Sequence, residues 1–323
     1  MSNPLPNRRE MLAASIGFLT FASLAQTPLR ILCGAPPGSV PDTIARRYAE
    51  WLGSRRSGGA IVENRPGAAG QLAIQALRQA PPDGLTLLLA PSAISTAYPS
   101  LYSKLAYDAD ADLRPVSAAA EANMALAVGP VVPATVRSLS GLVEWAKAHP
   151  SQSNFGSPGL GTLPHIVSAI FFQEAKVPAV HVAYLGGPPA IVDLLGGRIA
   201  ALTLPEGLLR QHHASGTLRL LATSGAVRSA FLPEVPTFAE QGYSGLVVRE
   251  WFAFYLSGAA SQSAAATAAA AITEAASNPE LVTAFQVAGM TAVFSTPQAT
   301  VQRIATERRY WREAIAATGI RAD

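Results

Sequence analysis

Charge, sulfur and long apolar runs are all scarce in this chain, and each scarcity removes a class of answers. Charged residues make up 14% of the 323, with a formal net charge of +3. A balance that mild, with no basic cluster, argues against a nucleic-acid partner. The single cysteine, Cys33, cannot form an internal disulfide, and Arg30-Ile31-Leu32 before it do not make a lipoprotein cleavage site; a buried strand position is expected for it. The histidines stand at 149, 165, 181, 212 and 213, without the spacing of a metal motif, so neither metal nor cofactor is expected. No G-x-x-x-x-G-K-[ST] occurs, and in "GSPGLGTLPH" Pro164 takes the place of the last glycine of G-x-G-x-x-G. Nor does any serine sit in G-x-S-x-G, since Phe155 stands where Ser157 would need the first glycine. P-loop, dinucleotide-binding and serine-hydrolase readings are left without support.

What is present is a long, apolar, Ala-, Gly- and Pro-rich chain, 49% hydrophobic, enough for two ordinary domains with large cores. Residues 1–25 read as an export signal: a basic start with Arg8-Arg9, an apolar stretch from Ile16 to Leu24, and small residues Ser23 and Ala25 placed like a cleavage site. The paired arginines suit a twin-arginine route and occur in general secretory signals too. The apolar stretch falls short of the ~20 residues that span a bilayer, and no later segment reads as a span. The expected location is the periplasm.

Short β-rich runs, among them "LRILCG" (29–34), "LTLLLA" (85–90), "ALAVG" (125–129), "IAALTL" (199–204) and "WFAFYLS" (251–257), alternate with apolar residues at helical spacing, such as Ile44, Tyr48, Trp51 and Leu52. Such alternation predicts an α/β architecture with mostly parallel sheets. Breaks are expected in 104–123 and 233–250, giving a first lobe of 26–120 with 245–323 and a second of 121–244. That arrangement is a two-lobed clamp with the ligand between the lobes.

Three turns share one design, in which a strand ends, Gly and Pro follow, and a helix begins: "GAPPGSVPDTIARRYAEWL" (34–52), "GSPGLGTLPHIVSAIFF" (156–172) and "YLGGPPAIVDLL" (184–195). Free N–H groups and the positive end of a helix dipole then face the carboxyl ends of the strands, where open α/β sheets bind ligands. Ser39, Thr43, Ser92, Ser157 and Thr162 add hydroxyls. Amides and hydroxyls together suit a carboxylate without an arginine clamp, although any one turn alone is equally an ordinary α/β turn with its cap. His165 either donates to a ligand or caps its own loop, and Tyr184 offers a ring wall and a hydroxyl. Asp42 is expected to tie down its own loop. Glu206, after "LTLP", either faces the cleft, where it would accept an amine or hydroxyl, or lies in a solvated loop.

These segments, in this order, resemble the Bug family of periplasmic solute receptors, the binding-protein component of tripartite tricarboxylate transporters. The resemblance rests on "PPGSVPDTIAR" (36–46), "VENRPGAAGQLAIQALRQAPPDGLTLLLA" (62–90), "SPGLGTLPH" (157–165), "VAYLGGPPAIVDLLGGRIAAL" (182–202), "GTLRLLATSGAVRSAFLPEVPTFAEQG" (216–242) and "EWFAFYLSGAA" (250–260), essentially all of the mature chain. It implies a type II-like binding-protein fold, two α/β lobes joined by two crossing strands and closing on a small mono- or dicarboxylate, an acidic amino acid or an aromatic acid. By position it assigns the ligand to Pro37, Gly38, Ser39 and Val40 of the first loop, Ser157, Gly159, Gly161, Thr162 and His165 of the second, and Tyr184, Gly186 and Gly187 of the third. Departures are Ser39 where the family usually has a second glycine, Gly34 where a proline commonly opens the loop, and Pro205-Glu206-Gly207. The implied partners are membrane transporter subunits or a sensor protein, with the receptor a monomer and no enzyme. A secreted α/β enzyme acting on a carboxylate or phosphorylated substrate is the other class, and it would need a nucleophile and base within hydrogen-bond reach in the cleft.

Overall fold

The computed structural model describes residues 27–322; the expected export signal lies outside the described residues. In chain order the elements are β1 (Leu29–Cys33), α1 (Val40–Ser54), β2 (Ala60–Asn64), α2 (Gln71–Gln79), β3 (Thr86–Pro91), α3 (Ala93–Thr96), α4 (Tyr98–Leu101) and β4 (Leu113–Ala122). There follow β5 (Met124–Val128), α5 (Leu139–Ala148), β6 (Asn154–Ser157), α6 (Leu163–Glu174), β7 (Val180–Ala183), α7 (Gly187–Leu195), β8 (Ala201–Pro205), α8 (Glu206–Ala214) and β9 (Arg219–Thr223). The chain ends with β10 (Glu250–Ser257), α9 (Gln262–Ala276), α10 (Pro279–Val287), β11 (Thr291–Ala292) and α11 (Pro297–Thr318).

Two sheets result, ordered β11-β4-β10-β3-β1-β2 and β7-β6-β8-β5-β9. Strands β1 to β4 run one way with β10 and β11 against them, and β6 to β9 run together with β5 against them. The sheets are thus mostly parallel in strand direction, with a returning strand inserted in each. Those two insertions follow from the connections: β4 leads into β5 through Asn123, and β9 returns to β10 through 224–249. Both crossings link the edges at which the parallel strands end, so the loops of one sheet face those of the other.

Strand alternation sorts the core. Leu32, Leu88, Trp251, Ala253 and Tyr255 pack on one side of the first sheet with α2, α3 and α11. Ile31, Cys33, Leu89, Phe252 and Phe254 pack on the other, against Ile44, Tyr48 and Leu52 of α1. Cys33 and Trp251 are fully buried, and burial pushes the Cys33 thiol up to about 11. The stretch 104–123, expected to hold only a break, instead contains the ten residues of β4. Its proline, serine and alanines hide it, since strand propensity is weak there and position between β10 and β11 makes the strand.

Candidate functional site

The first loop is shaped from within. Gly38 has φ +78, a left-handed conformation, and its amide donates to Asp42 Oδ2 at 2.9 Å. Asp42 is itself held by Arg46 Nε at 2.9 Å and Asn64 Nδ2 at 2.8 Å. These donors outweigh burial and hold the Asp42 carboxyl below its usual range. Ser39 Oγ donates to Pro36 O at 2.6 Å, so its hydroxyl closes the loop on itself. Val40 opens α1, with Pro41 behind it, and its amide has no protein partner among the described residues.

The second loop is more tightly tied. Ser157 is fully buried; its Oγ donates to Gly159 O at 3.0 Å and accepts from Gly159 N at 3.3 Å. With its proton so used, the 2.7 Å contact to His181 Nε2 has the imidazole as donor. His165, 5% exposed, accepts the Gly161 amide at Nδ1 over 3.2 Å, and its ring lies 4.1 Å from that of His181. Burial depresses both imidazoles, His165 to about 3 with help from the neighbouring His181 and His181 to about 4. They are neutral props of the loop. Thr162 Oγ1 is spent on Gly159 O at 2.7 Å, leaving the Leu163 amide at the start of α6 without a partner among the described residues.

The third loop turns at Gly186 (φ +100) and enters α7 at Gly187. Pro188 and Pro189 carry no N–H, so this helix start offers only the Gly187 amide and is a weaker anion site than the other two. Tyr184 points its hydroxyl back to Asp193 Oδ2 at 2.9 Å, which occupies the group expected to serve a ligand.

Contacts between the sheets bring these loops together. Tyr102 Oη, beyond α4, donates to Leu160 O at 3.3 Å, and a Cβ placed on Gly161 would lie 2.5 Å from that oxygen. A Cβ on Gly186 would lie 3.4 Å from Pro36 Cγ, so the first and third loops also meet. The lobes are therefore in contact across the cleft. Ser92, 3% exposed, stands at the end of β3, with its amide on Trp251 O at 2.8 Å.

Glu206 stands apart from the three loops. It is 1% exposed, which removes the solvated-loop alternative; Ser229 Oγ donates to its Oε1 at 2.7 Å, and Oε2 has no hydrogen-bond partner among the described residues. Burial pushes its carboxyl up, against the pull of Ser229 and Arg249. It lines a hinge cavity of about 690 Å³ with Glu121, Asn123, Arg228, Arg249 and Arg303. None of residues 36–40, 157–162 or 184–187 contributes to that wall. The lobes also pack beside it, where Arg210 Nη2 donates to Val287 O at 2.8 Å.

One further acid was not singled out from the sequence. Glu250, 7% exposed at the start of β10, makes no side-chain hydrogen bond or ion pair among the described residues, and burial raises its carboxyl to about 7. No local pattern marks it.

Residues 44–320 match the family model described as "Tripartite tricarboxylate transporter family receptor". The chain belongs to this receptor family. BugT of Bordetella pertussis is 33% identical over 293 residues, covering 90% of this chain and 89% of that protein. Among solved structures, the periplasmic binding protein BugD superposes with a TM-score of 0.84 at 22% identity, covering 92% of this chain and 99% of that one. MatC from Rhodopseudomonas palustris, with bound malate, gives 0.83 at 22% identity, covering 90% and 99%. A two-lobed periplasmic binding-protein fold is thus shared over 90–92% of this family member's chain.

Proposed function

We propose that this receptor captures a small carboxylate reversibly in the cleft between its lobes and delivers it to the membrane components of a tripartite transporter. The observation that carries the reading is the convergence of three helix starts, from both lobes, on one cleft, with the Val40 and Leu163 amides unengaged among the described residues. Backbone donors at helix starts hold an anion without a counter-charged side chain. The malate bound to MatC agrees with this class of ligand. Binding works as a signal because the donors belong to different lobes: a ligand touching both prefers the closed form and raises its population. Export through the 1–25 segment would place the receptor in the periplasm.

The chemistry supports binding over catalysis. Among the described residues the serine–histidine pair near the cleft is Ser157 with His181, and a serine with no exposed surface and a proton already committed to Gly159 O cannot attack a substrate. Thermal unfolding of ligand-stripped protein tests the reading against mono-, di- and tricarboxylates, amino acids, phosphate and nucleotides. A carboxylate at one hundred times its Kd stabilises by ~2.7 kcal/mol. A shift with phosphate or nucleotides alone would return the enzyme reading.

A further inference from the structure

Glu206 opens α8 at the carboxyl end of β8, with its amide on Asn123 O at 3.0 Å. Its carboxyl sits among the groups of the hinge cavity. Ser229 Oγ donates to Oε1; burial raises the carboxyl, and the groups that draw it back most, Ser229, Arg249 and Asn123, all line the same wall. Oε2 is left as a buried acceptor with no hydrogen bond among the described residues, a costly state for a fold to keep. The wall draws on both halves of the molecule: Glu121, Gly289 and Arg303 come from the first lobe, Arg228 and Ser229 join Glu206 from the second, and Asn123 and Arg249 lie in the two crossings. An occupant there touches both lobes without entering the cleft of the three loops. About 690 Å³ is room for a small organic molecule.

The same wall carries donors to spare. Arg249 gives Nε to Asn123 Oδ1 at 3.2 Å and Nη1 to Glu121, while Arg303 gives Nε to Glu307 at 3.0 Å and Nη2 to Glu121 at 3.2 Å. Arg228 gives Nε to Glu240 at 3.0 Å and Nη1 to Pro233 O at 3.1 Å. Each guanidinium thus keeps one terminal nitrogen without a hydrogen bond among the described residues. Every one of these cations is already matched by a carboxylate, so an anion gains little there and meets Glu121 and Glu206 as well. A cation would complete Glu206 only by entering beside three guanidinium groups. A neutral molecule with several hydroxyls meets neither cost. Each hydroxyl both donates and accepts, so one can donate to Glu206 Oε2 while others accept from the spare guanidinium nitrogens. Val227, Phe231 and Val247 give its carbon skeleton an apolar lining, and Val227, 77% exposed, stands at the mouth.

We propose that the hinge cavity is a second binding site, for a neutral polyhydroxylated molecule of the sugar or polyol class, with Glu206 accepting one hydroxyl and the three arginines donating to others. The site is separate from the carboxylate cleft, and its test does not depend on finding the ligand of that cleft.

Calorimetry on ligand-stripped protein tests it with D-glucose, D-galactose, myo-inositol and D-mannitol, each raised to tens of millimolar, and with propylamine and propionate as charged opponents. At least one polyol binds saturably at a single site, and amide hydrogen exchange then shows protection at 225–231 with none at 36–43 or 160–166. Two variants locate it, with cooperative thermal unfolding as the check that each is folded. Glu206→Gln is isosteric and removes the charged acceptor, and Val227→Trp fills the mouth from an exposed position. Each weakens the polyol about tenfold or more, the range of a lost hydrogen bond to a charged group. Failure of all four polyols to bind saturably overturns the proposal. So does protection at the three loops instead of 225–231, tighter binding of propylamine or propionate at 225–231, or affinity in either folded variant within about threefold of the wild type.

Discussion

The imidazoles of His165 and His181 give stability a pH dependence whose size follows from their burial. Both are depressed well below the ordinary histidine value of 6.5, to about 3 and about 4, so the unfolded chain takes up protons that the fold refuses. Their contribution to stability is complete above pH 6.5 and is lost as pH falls from there toward 4. At pH 5 a fully buried neutral histidine costs about 2 kcal/mol by this linkage. His181 is partly open, and screening reduces its share, so the pair together costs about 3 kcal/mol. Glu250 works in the opposite sense: its raised carboxyl adds stability as pH falls through about 7, so the wild-type profile alone would mask the histidines. The double variant His165→Asn/His181→Gln keeps an acceptor for the Gly161 amide and a donor for Ser157 while removing both titrating rings. Followed by thermal unfolding at pH 8 and pH 5, the stability gap between wild type and variant should move by about 3 kcal/mol in the variant's favour at the lower pH. For a chain of this length that is roughly 5 °C. A gap that stays constant across this range would refute the claim that these rings are held neutral.

Gly161→Ala adds a Cβ at a left-handed residue and within 2.5 Å of Tyr102 Oη. The backbone cost, about 1–2 kcal/mol, lowers the unfolding midpoint, and the clash with the opposite lobe should weaken carboxylate binding tenfold or more; adding Tyr102→Ala should restore affinity but not stability, as calorimetry on both variants would show. Glu206→Gln removes a buried, half-partnered acid whose raised carboxyl costs the fold more as pH rises. The variant should therefore gain on the wild type as pH rises above the ordinary glutamate value of 4.5 in denaturant unfolding, and a gain on acidification instead would contradict the assignment.

Much of the fold was legible because it rests on short-range patterns. Ile44, Tyr48 and Leu52 declared the buried face of α1, and the Gly-Pro turns before α1, α6 and α7 marked where the loops would be. Asp42 could be read as a loop tie because it lies one turn inside its own helix. What could not be read depends on register. Ser157 and His181 lie 24 positions apart and meet only because β6 and β7 pair in parallel, Phe155 against His181. The hydroxyls of Ser39, Thr162 and Tyr184 suggested ligand donors by their place in the loops, yet each closes a local bond. Nothing in "VRE" separates Arg249, which faces the hinge cavity, from Glu250, which does not; the pleat of β10 decides it.

Amide hydrogen exchange, with and without the carboxylate giving the largest thermal shift, tests the central claim most directly. If the ligand is held by helix starts of both lobes, protection rises together around residues 36–43, 160–166 and 184–187, while the hinge segment 225–231 is unchanged. Protection confined to one lobe, or appearing at 225–231 instead of the loops, would contradict a carboxylate clamped between them.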